Sequence, residues 1–158
     1  MITRTVNTNN SSIDLSKKYK DIDIIKYYKP YGLWYQINNS WIDWCQGNWP
    51  NRVGKNNFKI SLDLKNILIL DTAKKLKDFN DKYKTIVFTM PEYNLEFNVI
   101  DWNSVKKDYK GIEIRNYHKI KNKGFAFFSI SFVWFLGWDV DSGCIWDLTA
   151  IKNIIYAD

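Results

Sequence analysis

The sequence has few of the residues that build metal centres and nucleophilic active sites. It contains one histidine, His118, and two cysteines, Cys45 and Cys144, which lie far apart in the chain. Zinc sites draw their ligands from cysteines and histidines at short, regular spacings, so the sequence argues against a metal site. We expect both cysteines to be free and buried, as in a reducing compartment.

Other familiar functional signatures are also missing. There is no glycine-rich phosphate loop, no nucleophile elbow and no HExxH zinc motif. The longest apolar run, residues 125–138, is interrupted by Ser129, Ser131 and Gly137 and is too short to span a bilayer. The N-terminal residues do not resemble a signal peptide. We therefore expect a cytoplasmic protein with no membrane or metal partner.

Arginine is scarce while lysine and aromatic residues are abundant. The net charge is +6, which favours anionic partners such as nucleotides, nucleic acids or acidic proteins. However, lysine is spread along the chain together with asparagine and isoleucine, as in proteins from AT-rich genomes, and forms no basic cluster. Eight Trp, ten Tyr and nine Phe predict a tightly packed aromatic core.

The hydrophobic pattern predicts one α+β domain over residues 1–158, with two small mixed or antiparallel sheets and short helices. We predict strands at residues 2–6, 32–37, 58–64, 67–70, 85–89, 95–99 and 112–114. We predict helices from Ser40, after Asp71 or Thr72 to about Tyr83, and after Asp101 to about Tyr109. Residues 125–138 favour a central strand or hairpin, residues 137–144 turns, and residues 146–156 a closing helix or short helical end.

Glu113 is the acidic residue whose position most suggests chemistry. It stands between Ile112 and Ile114 on a predicted strand, where alternate side chains point to opposite faces. If the isoleucines face the core, Glu113 faces solvent or a cleft. An ordinary exposed strand residue is the alternative interpretation.

Two further groups of residues have simpler explanations. His118 lies in a basic stretch, residues 115–123, and we expect a surface side chain. Asp139, Asp141 and Asp147 resemble part of a calcium loop, but the remaining ligands are missing. We therefore predict a turn stabilised by aspartate side chains.

The tryptophans near residue 40 allow two interpretations. Trp34, Trp41 and Trp44 occur at strand and helix spacings, which fits core packing. Their rings could equally stack on a nucleobase or on nicotinamide. The sequence leaves both interpretations open.

Three blocks of the chain resemble a family of uncharacterised bacterial, phage and large-virus proteins. They are KPYGLWY (29–35) followed by WIDWC (41–45), then DW (101–102) followed by YKGIEI (109–114), and finally GWDVDSGCIW (137–146). The layout of this family resembles compact ADP-ribosyltransferase-like domains. The resemblance therefore implies an intracellular protein, of bacterial, phage or viral origin, with two small sheets and an NAD-binding cleft between them.

The resemblance also implies roles for individual residues. Glu113 would be the catalytic acid that holds the nicotinamide ribose and stabilises an oxocarbenium-like centre as nicotinamide leaves. Arg4 would contact the pyrophosphate or ribose of NAD. The cofactor site would include Gly32, Trp34, Tyr35 and Gln36, with Trp34 and Tyr35 as a stacking wall. The acceptor of ADP-ribose would be a protein or a nucleic acid.

This sequence departs from the family pattern at polar positions. Gln36 stands where a serine is expected, Lys110 replaces an aspartate, and Arg4 lies on a strand that usually carries an HYS-like motif. An alternative function follows from these departures. The chain would then be a catalytically inactive viral or phage binding or structural protein that uses the same fold to bind an anionic or protein partner. A third hypothesis is a nucleic-acid module that stacks bases on its aromatic residues.

Overall fold

A computed structural model describes residues 1–26, 28–93, 95–123 and 132–157. These residues form an α+β fold, as the hydrophobic pattern predicts. The strands are β1 Ile2–Thr8, β2 Leu33–Gln36, β3 Asn56–Leu62, β4 Ile67–Leu70, β5 Lys84–Met90, β6 Leu95–Ile100, β7 Gly111–Ile114, β8 Ser142–Ile145 and β9 Ile151–Ala157. The α-helices are α1 Ser40–Asn48, α2 Ala73–Tyr83, α3 Trp102–Asp108, α4 Tyr117–Lys123 and α5 Val133–Leu136.

Seven strands form one mixed sheet in the order β4-β7-β8-β2-β1-β3-β9. Only the β4–β7 pair is parallel among these described strands, and the other neighbours are antiparallel. Strands β5 and β6 form a separate two-stranded sheet. The prediction of two sheets of mixed or antiparallel type is confirmed, but the expectation that both are small is wrong, because one has seven strands. Strands β1, β2 and β7, which carry predicted site residues, all belong to this large sheet.

Local capping signals place two helices correctly. The side chain of Thr72 accepts a hydrogen bond from the backbone amide of Lys75 at the start of α2. Asp101 likewise accepts from the amide of Ser104 at the start of α3. Each cap satisfies an amide that has no partner inside its helix, which is why these boundaries can be predicted from sequence.

Three predictions for the C-terminal third are wrong where the structure describes it. Residues 132–138 are mainly helical, not a strand, and residues 124–131 lie outside the described part of the chain. In the region predicted as turns, residues 137–144, the strand β8 begins at Ser142, and most of the predicted closing helix or helical end at residues 146–156 is strand β9. The isoleucines of β9, at positions 151, 154 and 155, are spaced as on one face of a helix, which is why the sequence predicts a helix there. The pairing of β9 with β3 also shifts in register at Ser61/Leu62.

The large sheet carries a hydrophobic cluster on each face. Helices α2 to α5 contribute to the cluster that includes Ile112, Ile114 and Cys144. The second cluster includes Tyr35, Ile60 and Ile145. Since side chains alternate along β7, Glu113 points away from the first cluster and toward the face occupied by Tyr35.

Candidate functional site

Arg4, Tyr35 and Glu113 meet in a buried polar cluster that joins three strands. Arg4 donates from Nε to Glu113 Oε2 and from Nη2 to Glu113 Oε1, both at 2.8 Å. The Tyr35 hydroxyl donates to Oε2 at 2.9 Å. Arg115 donates from Nε to Oε1 at 2.5 Å. The carboxylate therefore accepts four hydrogen bonds, which is about its full capacity.

Gly143 makes this arrangement possible. In the sheet, Gly143 of β8 lies opposite both Tyr35 of β2 and Glu113 of β7. A Cβ atom at position 143 would lie 2.3 Å from the Cζ and hydroxyl of Tyr35 and 2.7 Å from the carbonyl oxygen of Ile112. The missing side chain thus lets the tyrosine ring lie across β8 and reach the carboxylate two strands away.

Burial and hydrogen bonding act in opposite directions on the ionisation of this cluster. Burial raises the pKa of Glu113, but the hydrogen bonds from Arg4, Arg115 and Tyr35 and the positive charge of Arg4 outweigh it, so the pKa lies below its usual value. Burial, followed by the negative charge of Glu113, raises the pKa of Tyr35 well above its usual value. Glu113 is therefore a carboxylate and Tyr35 a neutral hydrogen-bond donor near neutral pH.

The predicted exposure of Glu113 is wrong, because none of its surface is accessible. The carboxylate faces neither solvent nor an open cleft but is enclosed by guanidinium and phenol groups. Sequence reasoning also missed Arg115, whose partnership could have been found from strand alternation. Positions 113 and 115 are two apart, so the two side chains leave an extended chain on the same face.

A cavity of about 150 Å³ lies beside this cluster, at the end of β2. It is lined by four aromatic residues, three neutral polar residues and one lysine, namely Trp34, Tyr35, Trp41, Trp138, Asn7, Gln36, Ser142 and Lys29. Among the described residues, β1 and β2 are paired only at Thr5 and Gln36. The cavity therefore lies where β1 leaves β2 and where α1 and the turn before β8 close over the gap.

Gln36 has the most unusual environment of the cavity residues. Its Oε1 accepts hydrogen bonds from the backbone amides of Trp41 and Ile42, at 3.0 and 3.2 Å, at the start of α1. Its Nε2 is buried and has no hydrogen-bond partner, and only 2% of the residue is exposed. Leaving a buried donor unpaired costs about 1–3 kcal/mol, so such groups are uncommon and call for an explanation.

The aromatic residues that line the cavity also contact one another, a lysine and further aromatic rings. The Nζ of Lys29 lies 5.4 Å from the centre of the Trp34 ring, and Trp34 packs against Trp138 at 4.8 Å. Burial lowers the pKa of Lys29, while Asp139 opposes that shift. Trp41 stacks on Trp44, with ring centres 5.4 Å apart.

The aromatic series ends at the surface. Trp44 meets the half-exposed Trp49 edge to face at 5.1 Å. The guanidinium of Arg52 lies 4.6 Å from the centre of the Trp49 ring. We call Trp41, Trp44 and Trp49 the α1 tryptophans. These three residues are not simply part of the hydrophobic core, and they do not all line a binding site. Trp41 lines the cavity, whereas Trp49 faces solvent.

The structure thus divides the predicted cofactor residues into three groups. Trp34, Tyr35 and Gln36 line the cavity. Arg4 is buried against Glu113 outside the lining. Gly32 is also outside it and permits close packing of β2 on β8, because a Cβ there would lie 2.4 Å from the carbonyl oxygen of Ile145. Asn7, Trp138 and Ser142 were not predicted, since they come from segments that only the folded chain brings together. Lys29, which lies in the same block as Trp34, was not predicted either.

The remaining sequence predictions can also be checked. His118 is exposed, and both cysteines are free and buried. Asp147 accepts from the amide and hydroxyl of Thr149, as predicted for a turn, whereas Asp141 accepts from the amides of Asn116 and Tyr117 and thereby caps α4. Within the described ranges, no group of three acidic, histidine or cysteine side chains could hold a metal ion. None of the helices in that part of the chain is long and apolar enough to cross a membrane.

Comparisons of the chain with protein-family models, with curated proteins and with solved structures find no match.

Proposed function

We propose that this protein binds NAD or a related nucleotide without transferring ADP-ribose, and that the aromatic cavity receives the planar ring of the ligand. The cavity is the observation that carries the proposal. A volume of about 150 Å³ suffices for one benzene-sized ring. Four aromatic side chains in the lining can stack on such a ring or meet its edge.

The polar groups around the cavity favour a nucleotide over a purely apolar ligand. Lys29 supplies a positive charge in the lining, and the net charge of +6 attracts anions. The unpaired Nε2 of Gln36 provides a donor for a polar substituent of the ring. A ring with a polar substituent, joined to phosphates that remain outside, matches this combination.

The state of Glu113 argues against the transferase reaction. A catalytic carboxylate must accept a hydrogen bond from the substrate ribose and face the reacting carbon. Glu113 already accepts four hydrogen bonds and is fully buried. We therefore assign to it a structural role in holding β1, β2 and β7 together, which agrees with the inactive binding protein considered from the sequence.

Tryptophan fluorescence and calorimetry test this proposal. Titration with NAD at up to millimolar concentration should quench the emission of the cavity tryptophans and release or absorb heat. Trp41→Leu, which removes a wall of the cavity, should weaken binding about tenfold or more. Trp49→Leu is the matched control, because Trp49 belongs to the same aromatic series but does not line the cavity.

Two results would overturn the proposal. Absence of both heat and quenching in the folded protein would remove the binding function. Transfer of labelled ADP-ribose to a lysate component, abolished by Glu113→Gln in a folded variant, would restore the transferase function.

The α1 tryptophans favour one second candidate, the stacking of unpaired nucleic-acid bases. Trp49 is 51% exposed and Arg52 lies over its ring, which resembles the aromatic and cationic surface that binds single strands. This function predicts that single-stranded DNA quenches tryptophan fluorescence with a steep salt dependence, and that Trp49→Leu removes the quenching. A flat titration in Trp49→Leu and wild type alike would exclude it.

A further inference from the structure

Gln36 has a side-chain amide whose orientation is fixed by its partners. At its acceptor end it receives two backbone N–H groups, from Trp41 and Ile42, and only an oxygen can accept both. Rotating the amide by half a turn would place its NH₂ group against these two donors. The oxygen is therefore held toward α1, and the NH₂ group is what remains for any other partner.

The remaining NH₂ group can only donate. It is buried and unpaired on a residue that lines the aromatic cavity. The neighbouring polar residue Asn7 cannot easily supply the missing acceptor, because its Oδ1 accepts from the amide of Gly54 and its Nδ2 donates to Gly54 and Asn57. The hydroxyl of Ser142 donates to the carbonyl of Val140, and its oxygen receives no hydrogen bond from Nε2 of Gln36. A ligand with an acceptor would complete the set of hydrogen bonds.

We infer that Gln36 determines the specificity of the cavity by selecting aromatic rings that carry a carbonyl oxygen, such as carboxamide-substituted or keto-substituted heterocycles. This inference rests on the proposed function and adds to it the chemical class of the ring. An isosteric ring without the carbonyl would leave Nε2 unpaired and would bind more weakly. Discrimination of this kind arises because the site is built around a hydrogen bond that the wrong ligand cannot make.

A matched pair of small probes separates this selectivity from simple burial of a ring. Acetophenone and ethylbenzene share a phenyl ring with a two-carbon chain, but only acetophenone carries a carbonyl oxygen on that chain. Ethylbenzene is the more apolar probe, so burial of apolar surface alone favours it. We expect acetophenone to bind about tenfold or more tightly, and NAD to compete with it.

Nuclear magnetic resonance gives a readout on Gln36 itself. In a ¹H–¹⁵N spectrum of the labelled wild-type protein, the side-chain NH₂ protons of Gln36 should move downfield with acetophenone and not with ethylbenzene. Gln36→Glu keeps an oxygen for the two α1 amides but replaces the donor with an acceptor. The variant should retain the amide signals of Trp41 and Ile42 and lose the preference for acetophenone.

The outcomes distinguish this inference from the proposed function. Equal binding of the two probes to the wild-type cavity, with NAD competing against both, would overturn the role of Gln36 and leave nucleotide binding intact. An unmoved Gln36 NH₂ signal on binding of acetophenone would also overturn it. If neither the probes nor NAD bind, both proposals fail. The wild-type measurements decide the matter even if Gln36→Glu does not fold.

Discussion

Glu113 and Gln36 are two buried polar side chains on the same sheet that differ in how completely their hydrogen-bonding groups are used. Every acceptor site of Glu113 is occupied, by groups from β1, β2 and the end of β7. Gln36 uses its oxygen fully and its nitrogen not at all. The carboxylate, which attracts attention in the sequence, is part of the framework, whereas the glutamine amide is the group equipped to meet a ligand.

The comparison predicts that Glu113→Gln causes the largest loss of stability. It leaves the guanidinium of Arg4, which is 9% exposed, without its negative partner inside the protein. Breaking one side of a buried ion pair costs about 3–5 kcal/mol. Urea unfolding should show this loss. Asp78→Asn is the control, because it removes an exposed i,i+4 pair with Lys74 and should cost less than about 1 kcal/mol.

Gly143→Ala should have the next largest effect. The added methyl group would collide with the Tyr35 ring and with the carbonyl of Ile112, which we expect to cost about 2 kcal/mol. Gly47→Ala is the matched control, since it lies in α1 with open space around the new Cβ, and it should stabilise the protein by about 0.5–1 kcal/mol. Similar urea midpoints for the two variants would contradict the role assigned to Gly143.

Acidification should lower the free energy of unfolding by a smaller amount, and this loss should depend on Glu113. Because its pKa is lowered in the folded protein, the carboxylate contributes stability above the unfolded pKa of about 4.3, and this contribution disappears as the pH falls through the folded pKa. The difference in unfolding free energy between wild type and Glu113→Gln should therefore shrink below about pH 4. A constant difference from pH 7 to pH 3 would show that the carboxylate is not held by the arginines.

Gln36→Leu should have the smallest effect on stability and a large effect on binding. It removes the acceptor for the first amides of α1, at a cost of about 1 kcal/mol, but it also removes an unsatisfied donor. Urea unfolding and calorimetry with NAD measure the two effects separately. A loss of stability as large as that of Glu113→Gln would show that Gln36 belongs to the framework too.

Local signals in the sequence predict much of the middle of the chain. The caps at Thr72 and Asp101 and the alternation in β3 depend on neighbouring residues, so α2, α3 and β3 could be predicted. Strand β8 could not be predicted, because Ser142 and Gly143 are residues typical of turns. The reason for a glycine in this strand, the space taken by the ring of Tyr35, is visible only in the folded chain. The resemblance assigns Arg4, Tyr35 and Glu113 to one site. That Arg4 and Tyr35 use up the hydrogen-bond acceptors of Glu113 depends on the strand register, which the sequence does not specify.

The order of strands also governs how the sheet can be assembled during synthesis. Strand β8 lies between β7 and β2, although it is made more than a hundred residues after β2. Until residues 142–145 leave the ribosome, the growing chain can form only the separate groups β4–β7 and β2–β1–β3. The contact between Arg4 and Glu113 must wait for β8, which joins these two groups. In the nascent chain, Arg4 and Glu113 therefore stay apart until residues 142–145 have emerged and β8 has joined the two groups.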